Sequence, residues 1–338
     1  MILFCIDQIA GAEYILPLLR RWRRQGRMDW HVCAGPRSAP VLQAADIPVT
    51  ALDADLLDKA RQLIADLRPR IVLMSSSTDS AIEAAFRQGS RKVGIKCVQF
   101  IDMWVNYAVR FHDAAGRLDL PDQLLTLDDH ALQAMVQEGL PQERIVVIGQ
   151  PYFESRLRAS AMPGETAPTR ALLVTQPVSR HLGKRLGYDE ADFLEGGLQA
   201  WQRAARDWRL LDLIVHPDED RQLYRSRLDR YSVDIRIIDN ADLNLSDYSL
   251  MIGMYSSLMI HAMLSRVNTV SFQPGAHGPD ACHLSAQGLI ERLTSVEQLT
   301  HFLASDDAVD PGKTHATSAA LLSAIQGSCD RLEHFLLS

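Results

Sequence analysis

ILFCIDQIAGAEYILPLLRRW, residues 2–22, opens with five apolar residues in a row and then changes period. From Tyr14 onward, Tyr14, Leu18, Leu19 and Trp22 recur at helical spacing, so an unbroken apolar strand runs straight into an amphipathic helix. A strand with no polar alternation must be covered on both faces, which is the condition of a parallel sheet packed between helices. The same unit recurs outward along the chain. WHVCA (30–34), IPVTAL (47–52), IVLMS (71–75), IKCVQFI (95–101) and RIVVIG (144–149) read as strands, with LLDKARQLIADLR (56–68) and ALQAMVQEG (131–139) as helices between them.

Residues 157–170, centred on ASAMPGETAPTR, lack periodicity and are rich in Ala, Pro, Gly and Thr, so they read as a linker. The alternation then restarts with ALLVT (171–175), LLDLIV (210–215), VDIRII (233–238), SLMIGM (249–254) and NTVSF (268–272). Helical patterns begin near Asp189, Asp218, Ser256 and Ser295. The expected architecture is α/β: two doubly wound, Rossmann-like domains with a cleft between them. Residues 1–156 form an N-terminal Rossmann-like domain, 171–316 a C-terminal one, and 317–338 a terminal helix that docks through Phe335, Leu336 and Leu337. In such sheets ligands bind at the carboxyl ends of the strands, so function is expected in the loops that leave these runs.

Composition narrows the chemistry. With 35 Lys and Arg against 42 Asp and Glu in 338 residues, the formal charge is -7, which argues against nucleic acid as a partner. The five cysteines are scattered, with no metal-ligand spacing and no disulfide framework, as fits a reducing cytosol. MILFCIDQ is interrupted too soon by Asp7 to read as a signal peptide, and no apolar run reaches the ~18 residues that span a bilayer. RRWRRQGR (20–27) is either the solvated end of a helix or a contact with the anionic inner face of a membrane. No metal and no cofactor are expected.

DLIVHPDED places His216 and Pro217 directly after a strand, and forty residues later MIGMYSSLMIHA places Ser256 and Ser257 between a strand and a helix. A helix start carries unpaired N–H groups and the positive end of the dipole, which suits a phosphate, and two serines add hydroxyl donors. An imidazole nearby can donate to the same phosphate and protonate it as it leaves. The competing reading makes Ser256 an N-cap and His216 a turn residue.

The ordered His-Pro and Ser-Ser pairs resemble the donor-binding motifs of bacterial sialyltransferases and polysialyltransferases, and of CDP-glycerol glycerophosphotransferase-type enzymes of the same GT-B group. That resemblance implies that His216 contacts the cytidine-phosphate part of a donor and that Ser256 and Ser257 hold its phosphate. GMYSSLMIHAMLSRVNTVSFQPG, from Gly253, is similar to the wider GT-B pattern of a Gly-containing loop, a helix and a strand ending in Pro-Gly. Where many members carry a ribose-binding Glu on that helix, this chain has His261. The same families carry an acidic motif after an N-domain strand that deprotonates the acceptor. VQFIDMWVNY puts Asp102 there, followed by Trp104, Asn106 and Tyr107, although Met103 and Trp104 stand where the family has an acid and a Gly. A carboxylate walled by Trp104 and Met103 would be partly desolvated and so a better base. A structural role in a loop is the alternative. IGQPYFE (148–154) resembles the end of a GT-B N-domain, with Gly149 and Pro151 as hinge geometry and Gln150 facing the cleft.

Weaker signals remain. Asp7, Gln8 and Gly11 form the first strand-to-helix loop, expected on the acceptor side; it is not a GxGxxG fingerprint. Thr175 and Gln176 end the first strand of the second half and offer polar contacts to a donor, with Ser179 and Arg180 following. SSSTD, from Ser75, is either an acceptor-binding loop or an N-cap run. The reading is a metal-independent glycosyltransferase that moves a sugar or polyol phosphate from a nucleotide-activated donor, CMP- or CDP-linked, to a glycan or lipid-linked acceptor. The nucleotide sugar is substrate, not cofactor. Two alternatives stay open: a nucleotide-sugar epimerase or hydrolase on the same fold, and a GT-B-like protein that binds without catalysis.

Overall fold

The computed structural model describes every residue except 53–55, 79, 114, 160–169, 184, 205–207, 209, 232, 240–241, 279 and 311–318. The chain divides into two compact units, Met1–Ser155 with Ser323–Ser338, and Arg156–Leu322. Most of the expected linker, 160–169, lies outside the described residues.

In the first unit, strands β1 (Ile2–Ile6), β2 (Trp30–Ala34), β3 (Thr50–Ala51), β4 (Ile71–Met74), β5 (Lys96–Phe100), β6 (Gln123–Thr126) and β7 (Ile145–Val147) form one sheet in the order β3-β2-β1-β4-β5-β6-β7. Every pairing is parallel. All five residues of β1 are buried, as its unbroken apolar run requires. The helices are α1 (Ile9–Arg24), α2 (Ala39–Gln43), α3 (Leu56–Leu67), α4 (Ala81–Val93), α5 (Asp129–Gln137) and α6 (Pro151–Ala159). Helix α1 buries Tyr14, Leu18, Leu19 and Trp22 against one face of the sheet, the stripe that its spacing dictates. Each such aliphatic side chain contributes roughly 1.5–3 kcal/mol by leaving water. Leu3, Cys5 and Val72 form the core on the opposite face, under α3 and α4.

The second unit repeats the plan. Strands β8 (Arg170–Val174), β9 (Leu210–Ile214), β10 (Ile235–Ile238), β11 (Leu250–Gly253), β12 (Asn268–Phe272) and β13 (Glu291–Leu293) run in the order β10-β9-β8-β11-β12-β13. These pairings are also all parallel. The helices are α7 (Val178–Leu182), α8 (Glu190–Arg203), α9 (Arg221–Leu228), α10 (Leu258–Leu264), α11 (His283–Ala286) and α12 (Val296–Ala304). Asp189 and Asp192 form a capping box that starts α8, and Ser295 caps α12. In both sheets the strand order reverses beside the first strand, between β1 and β4 and between β8 and β11. Crevices that bind ligands open at such reversals.

Three differences from the sequence reading have physical causes. Strands β6 and β13 were not anticipated: QLLT and ERL open on polar or charged residues and carry no long apolar run, so pairing within the sheet and not local pattern marks them as strands. The expected linker starts too early, because α6 runs to Ala159. The expected terminal helix is two: α13 (Ala319–Ile325) and α14 (Ser328–Leu337), separated where Gly327 takes a left-handed φ of 75°. Helix α14 belongs to the first unit, where Cys329, Leu332 and Leu336 enter the core shared with α1. The buried Glu154 carboxylate accepts from the N–H groups of Gly327 (3.0 Å) and Cys329 (2.8 Å), closing the start of α14 with a negative charge at the positive end of its dipole.

Candidate functional site

Strands β9, β8 and β11 are neighbours, and their register puts Ile214, Val174 and Gly253 at one level. The residues that follow therefore leave the sheet together: Thr175 and Gln176 from β8, His216 and Pro217 from β9, Met254 to Ser257 from β11. Val174 and Gly253, 79 positions apart in sequence, become neighbours because parallel strands all end on the same edge.

The His216 loop is a tight turn. Glu219 N–H donates to the His216 carbonyl at 2.9 Å, with Pro217 at the second position, where its fixed φ favours the turn. Asp218 N–H donates to Nδ1 of His216 at 3.1 Å. A ring nitrogen that accepts carries no proton, so the neutral imidazole is assigned protonated at Nε2. That form presents an N–H donor of the kind that a phosphate oxygen takes. Beneath the loop, the Glu219 carboxylate accepts from His216 N–H at 3.2 Å and from the hydroxyls of Thr175 and Tyr224. Thr175 is fully buried and its hydroxyl is committed to this network; Gln176 is half-buried. A cavity of about 190 Å³ opens beside it, lined by Pro177, Arg180, Glu190, Asp218, Glu219 and Tyr224 among others.

Ser256 is buried and its Oγ accepts from Leu258 N–H at 3.3 Å, so it starts α10 as a cap would. Ser257 is exposed and makes no side-chain capping bond. Gly253 lies where an added Cβ would come 2.8 Å from Sδ of Met259, which gives that glycine a packing reason. The Tyr255 hydroxyl is buried without a hydrogen-bond partner among the described residues. Burial, then the charges of Glu190 and Glu219, pushes its pKa up to about 12. His261 is half-buried on α10, and desolvation followed by the charge of Arg156 lowers its pKa to about 4, so it is neutral at pH 7. It offers a neutral ring where a ribose-binding carboxylate was the comparison.

In the first unit the expected acceptor-side residues fall into two groups. Asp7 and Gln8 follow β1, at the strand-order reversal. Asp7 N–H donates to Ser75 Oγ at 3.2 Å, and Gln8 accepts from Arg37 at 3.2 Å. Gly11 is not in that loop. It lies inside α1, where a Cβ would come 2.7 Å from Cβ of Ser75, so it permits the close approach of helix and strand end. The second group follows β5. Asp102 is not walled by an indole: its Oδ1 accepts from Arg110 at 2.7 Å, in an ion pair largely removed from solvent. Trp104 turns inward, donates to Asp128 at 2.7 Å and stacks on Phe153, so its faces are spent on packing. Asn106 is exposed with φ 58°, and its carbonyl accepts from Arg110 at 2.9 Å. Tyr107 is buried.

Sequence reasoning passed over Glu219, Arg110 and Glu83. Glu83 stands three residues after Ser80, a capping-box spacing that offered a signal. Ser80 does cap α4 by accepting from Glu83 N–H, but the Glu83 carboxylate turns away to accept from Ser75 Oγ (2.7 Å) and Ser77 N–H (2.8 Å). It is 2% exposed, and burial raises its pKa to about 7. The basic run is tied to its own chain, Arg21 to Asp330 and Glu333 and Arg27 to Asp29. Among the described residues no three His, Cys, Asp or Glu side chains converge as metal ligands, and no helix is long and apolar enough to cross a membrane.

No protein-family model matches the chain, and no curated protein matches its sequence. Solved structures do. A Listeria monocytogenes protein assigned as a UDP-N-acetylglucosamine 2-epimerase matches with 15% identity over 100% of this chain and 97% of that one, at a TM-score of 0.69. The fold is GT-B-like. Anabaena HepE, solved in complex with UDP-glucose, matches with 13% identity over 99% of this chain and 100% of that one, at a TM-score of 0.61. CalG4, the calicheamicin glycosyltransferase, matches with 14% identity over 99% and 98%, at a TM-score of 0.59. At such identities the likeness speaks for the GT-B-like architecture of the two units. It does not single out the sialyltransferase or CDP-glycerol type.

Proposed function

We propose that the second unit binds a nucleotide-activated sugar at the carboxyl ends of β9, β8 and β11, and that the chain is a glycosyltransferase. The observation that carries this reading is the His216 turn: its own backbone sets the ring tautomer, one strand away from Thr175 and two from Ser256 and Ser257. A phosphate leaving from a sugar gains negative charge as the bond breaks, and a donor fixed beforehand stabilises that charge without reorganising. His216 is the donor to that phosphate, and Ser257 with the start of α10 adds hydroxyl and N–H groups. In the first unit Asp102 is the base for the acceptor hydroxyl.

A thermal-shift series with CMP, CDP, UDP, GDP and dTDP tests the binding site, since a ligand of the folded state raises the melting temperature by mass action. At least one of these nucleotides should stabilise the protein, and His216→Ala should abolish the shift. No shift with any of the five ends the proposal.

A second reading, epimerisation or hydrolysis of a nucleotide sugar, is favoured by the pairing of Asp102 with Arg110 and the inward turn of Trp104, which leave the acceptor-side expectation thinly supported. The two separate on one measurement. Turnover of a labelled nucleotide sugar with no acceptor present favours the second; strict dependence on an added acceptor favours the first.

A further inference from the structure

The turn that holds His216 closes on a carboxylate from its own last residue. Glu219 Oε2 accepts from His216 N–H at 3.2 Å and from the Thr175 hydroxyl, and Oε1 accepts from the hydroxyl of Tyr224 on α9. Thr175 is fully buried, so its hydroxyl has no water to fall back on, and Tyr224 is buried at the wall of the cavity. The end of β8, the end of β9 and helix α9 therefore meet on one side chain. The same turn places Asp218 N–H against Nδ1 of His216 at 3.1 Å. Whatever holds the turn thus holds the imbalance between the two ring nitrogens.

We infer that Glu219 is a positioning residue: it fixes the turn so that the His216 imidazole keeps its proton on Nε2 and its aim at the ligand, an inference that rests on the nucleotide reading of this site. Glu219 acts through His216 and does not itself touch the ligand. Electrostatics separates this from a direct contact. A carboxylate close to a bound phosphate repels it, so its charge is a cost to binding and only its acceptor oxygens are useful. Glutamine keeps one acceptor and removes the charge; alanine removes both.

Two measurements on the full chain test it. In the first, long-range proton–nitrogen NMR of the ligand-free protein reads the His216 tautomer. The Nε2-protonated form should dominate in the wild type and in Glu219→Gln, and should give way to a mixture in Glu219→Ala. An unchanged spectrum in Glu219→Ala overturns the inference. In the second, calorimetry with CDP and UDP follows a double-mutant cycle. His216→Ala and Glu219→Ala should each weaken binding about tenfold, the loss of one charge-assisted hydrogen bond. The double variant should be no weaker than either single one, because one acts through the other, and Glu219→Gln should recover most of what Glu219→Ala loses. Losses that multiply in the double variant mean that Glu219 works independently of His216 and overturn the inference. If the wild type binds none of CMP, CDP, UDP, GDP and dTDP while Glu219→Ala scrambles the tautomer, the positioning role stands and the nucleotide reading falls.

Discussion

Nη1 of Arg110 lies 2.7 Å from Oδ1 of Asp102, and the same nitrogen donates to the carbonyl of Ser76 at 2.6 Å. One guanidinium thus ties the loop after β5 to the loop after β4, across the carboxyl edge of the first sheet. Asp102→Asn should leave nucleotide-induced stabilisation intact and lower transfer by about 10²-fold or more, the usual contribution of a positioned base. Full turnover in that variant removes Asp102 from the chemistry. Arg110→Ala leaves a partly buried carboxylate without its partner, and a loss of about 3 kcal/mol in urea unfolding is expected.

Glu83 makes stability depend on pH. Burial raises its pKa from 4.5 to about 7 in the folded state. The folded protein then holds a proton that the unfolded chain releases, so the contribution is full below pH 4.5 and is lost as pH rises towards 7. At ~1.4 kcal/mol per pH unit the change is about 3 kcal/mol. Wild-type stability relative to Glu83→Gln should therefore fall between pH 5 and pH 8 in denaturant titrations; a constant difference would show that Glu83 does not titrate there.

His261 has the opposite sign. Its pKa falls from 6.5 to about 4 on folding, so the neutral ring contributes stability above pH 6.5 that is lost as pH falls towards 4. His261→Leu should flatten the acid limb of the melting-temperature profile between pH 6.5 and 4. An acid limb identical to the wild type would assign that loss to other groups.

Asp212 sits in the middle of β9, fully buried, and accepts from Arg170 (2.9 Å), Arg236 (2.8 and 3.0 Å) and Tyr248 (2.6 Å). Removing it leaves the buried Tyr248 hydroxyl without its acceptor, while Arg170 and Arg236 can turn to water. Asp212→Ala should cost about 1–3 kcal/mol in unfolding free energy, and Asp212→Asn, which keeps an acceptor, should cost less. Equal losses would mean that the charge, which both variants remove, and not the acceptor oxygen is what the site needs.

The sequence carried a great deal of this. The apolar runs of β1, β4 and β8, the stripe on α1 and the caps of α8 and α12 are local patterns, and each became the element that it implied. The strand ends are local patterns too: Thr175, His216 and Ser256 each follow an apolar run and lie in the loops after β8, β9 and β11. Local patterns failed where a strand opens on polar or charged residues, at β6 and β13, and where one glycine, Gly327, divided a helix.

What the sequence alone determined is the repeated strand-and-helix plan of two parallel sheets, because burial of an apolar run on both faces is written in the residues themselves. Tertiary structure alone decided what each polar side chain does. Glu219 stands among three acids in HPDED, and only the meeting of β8, β9 and α9 marks it as the one under His216. Trp104 and Asp102 stand two apart, yet one faces Asp128 and the other Arg110. Hydrogen-bond partners are chosen in space, among groups distant along the chain, so their identity emerges only when the chain has folded.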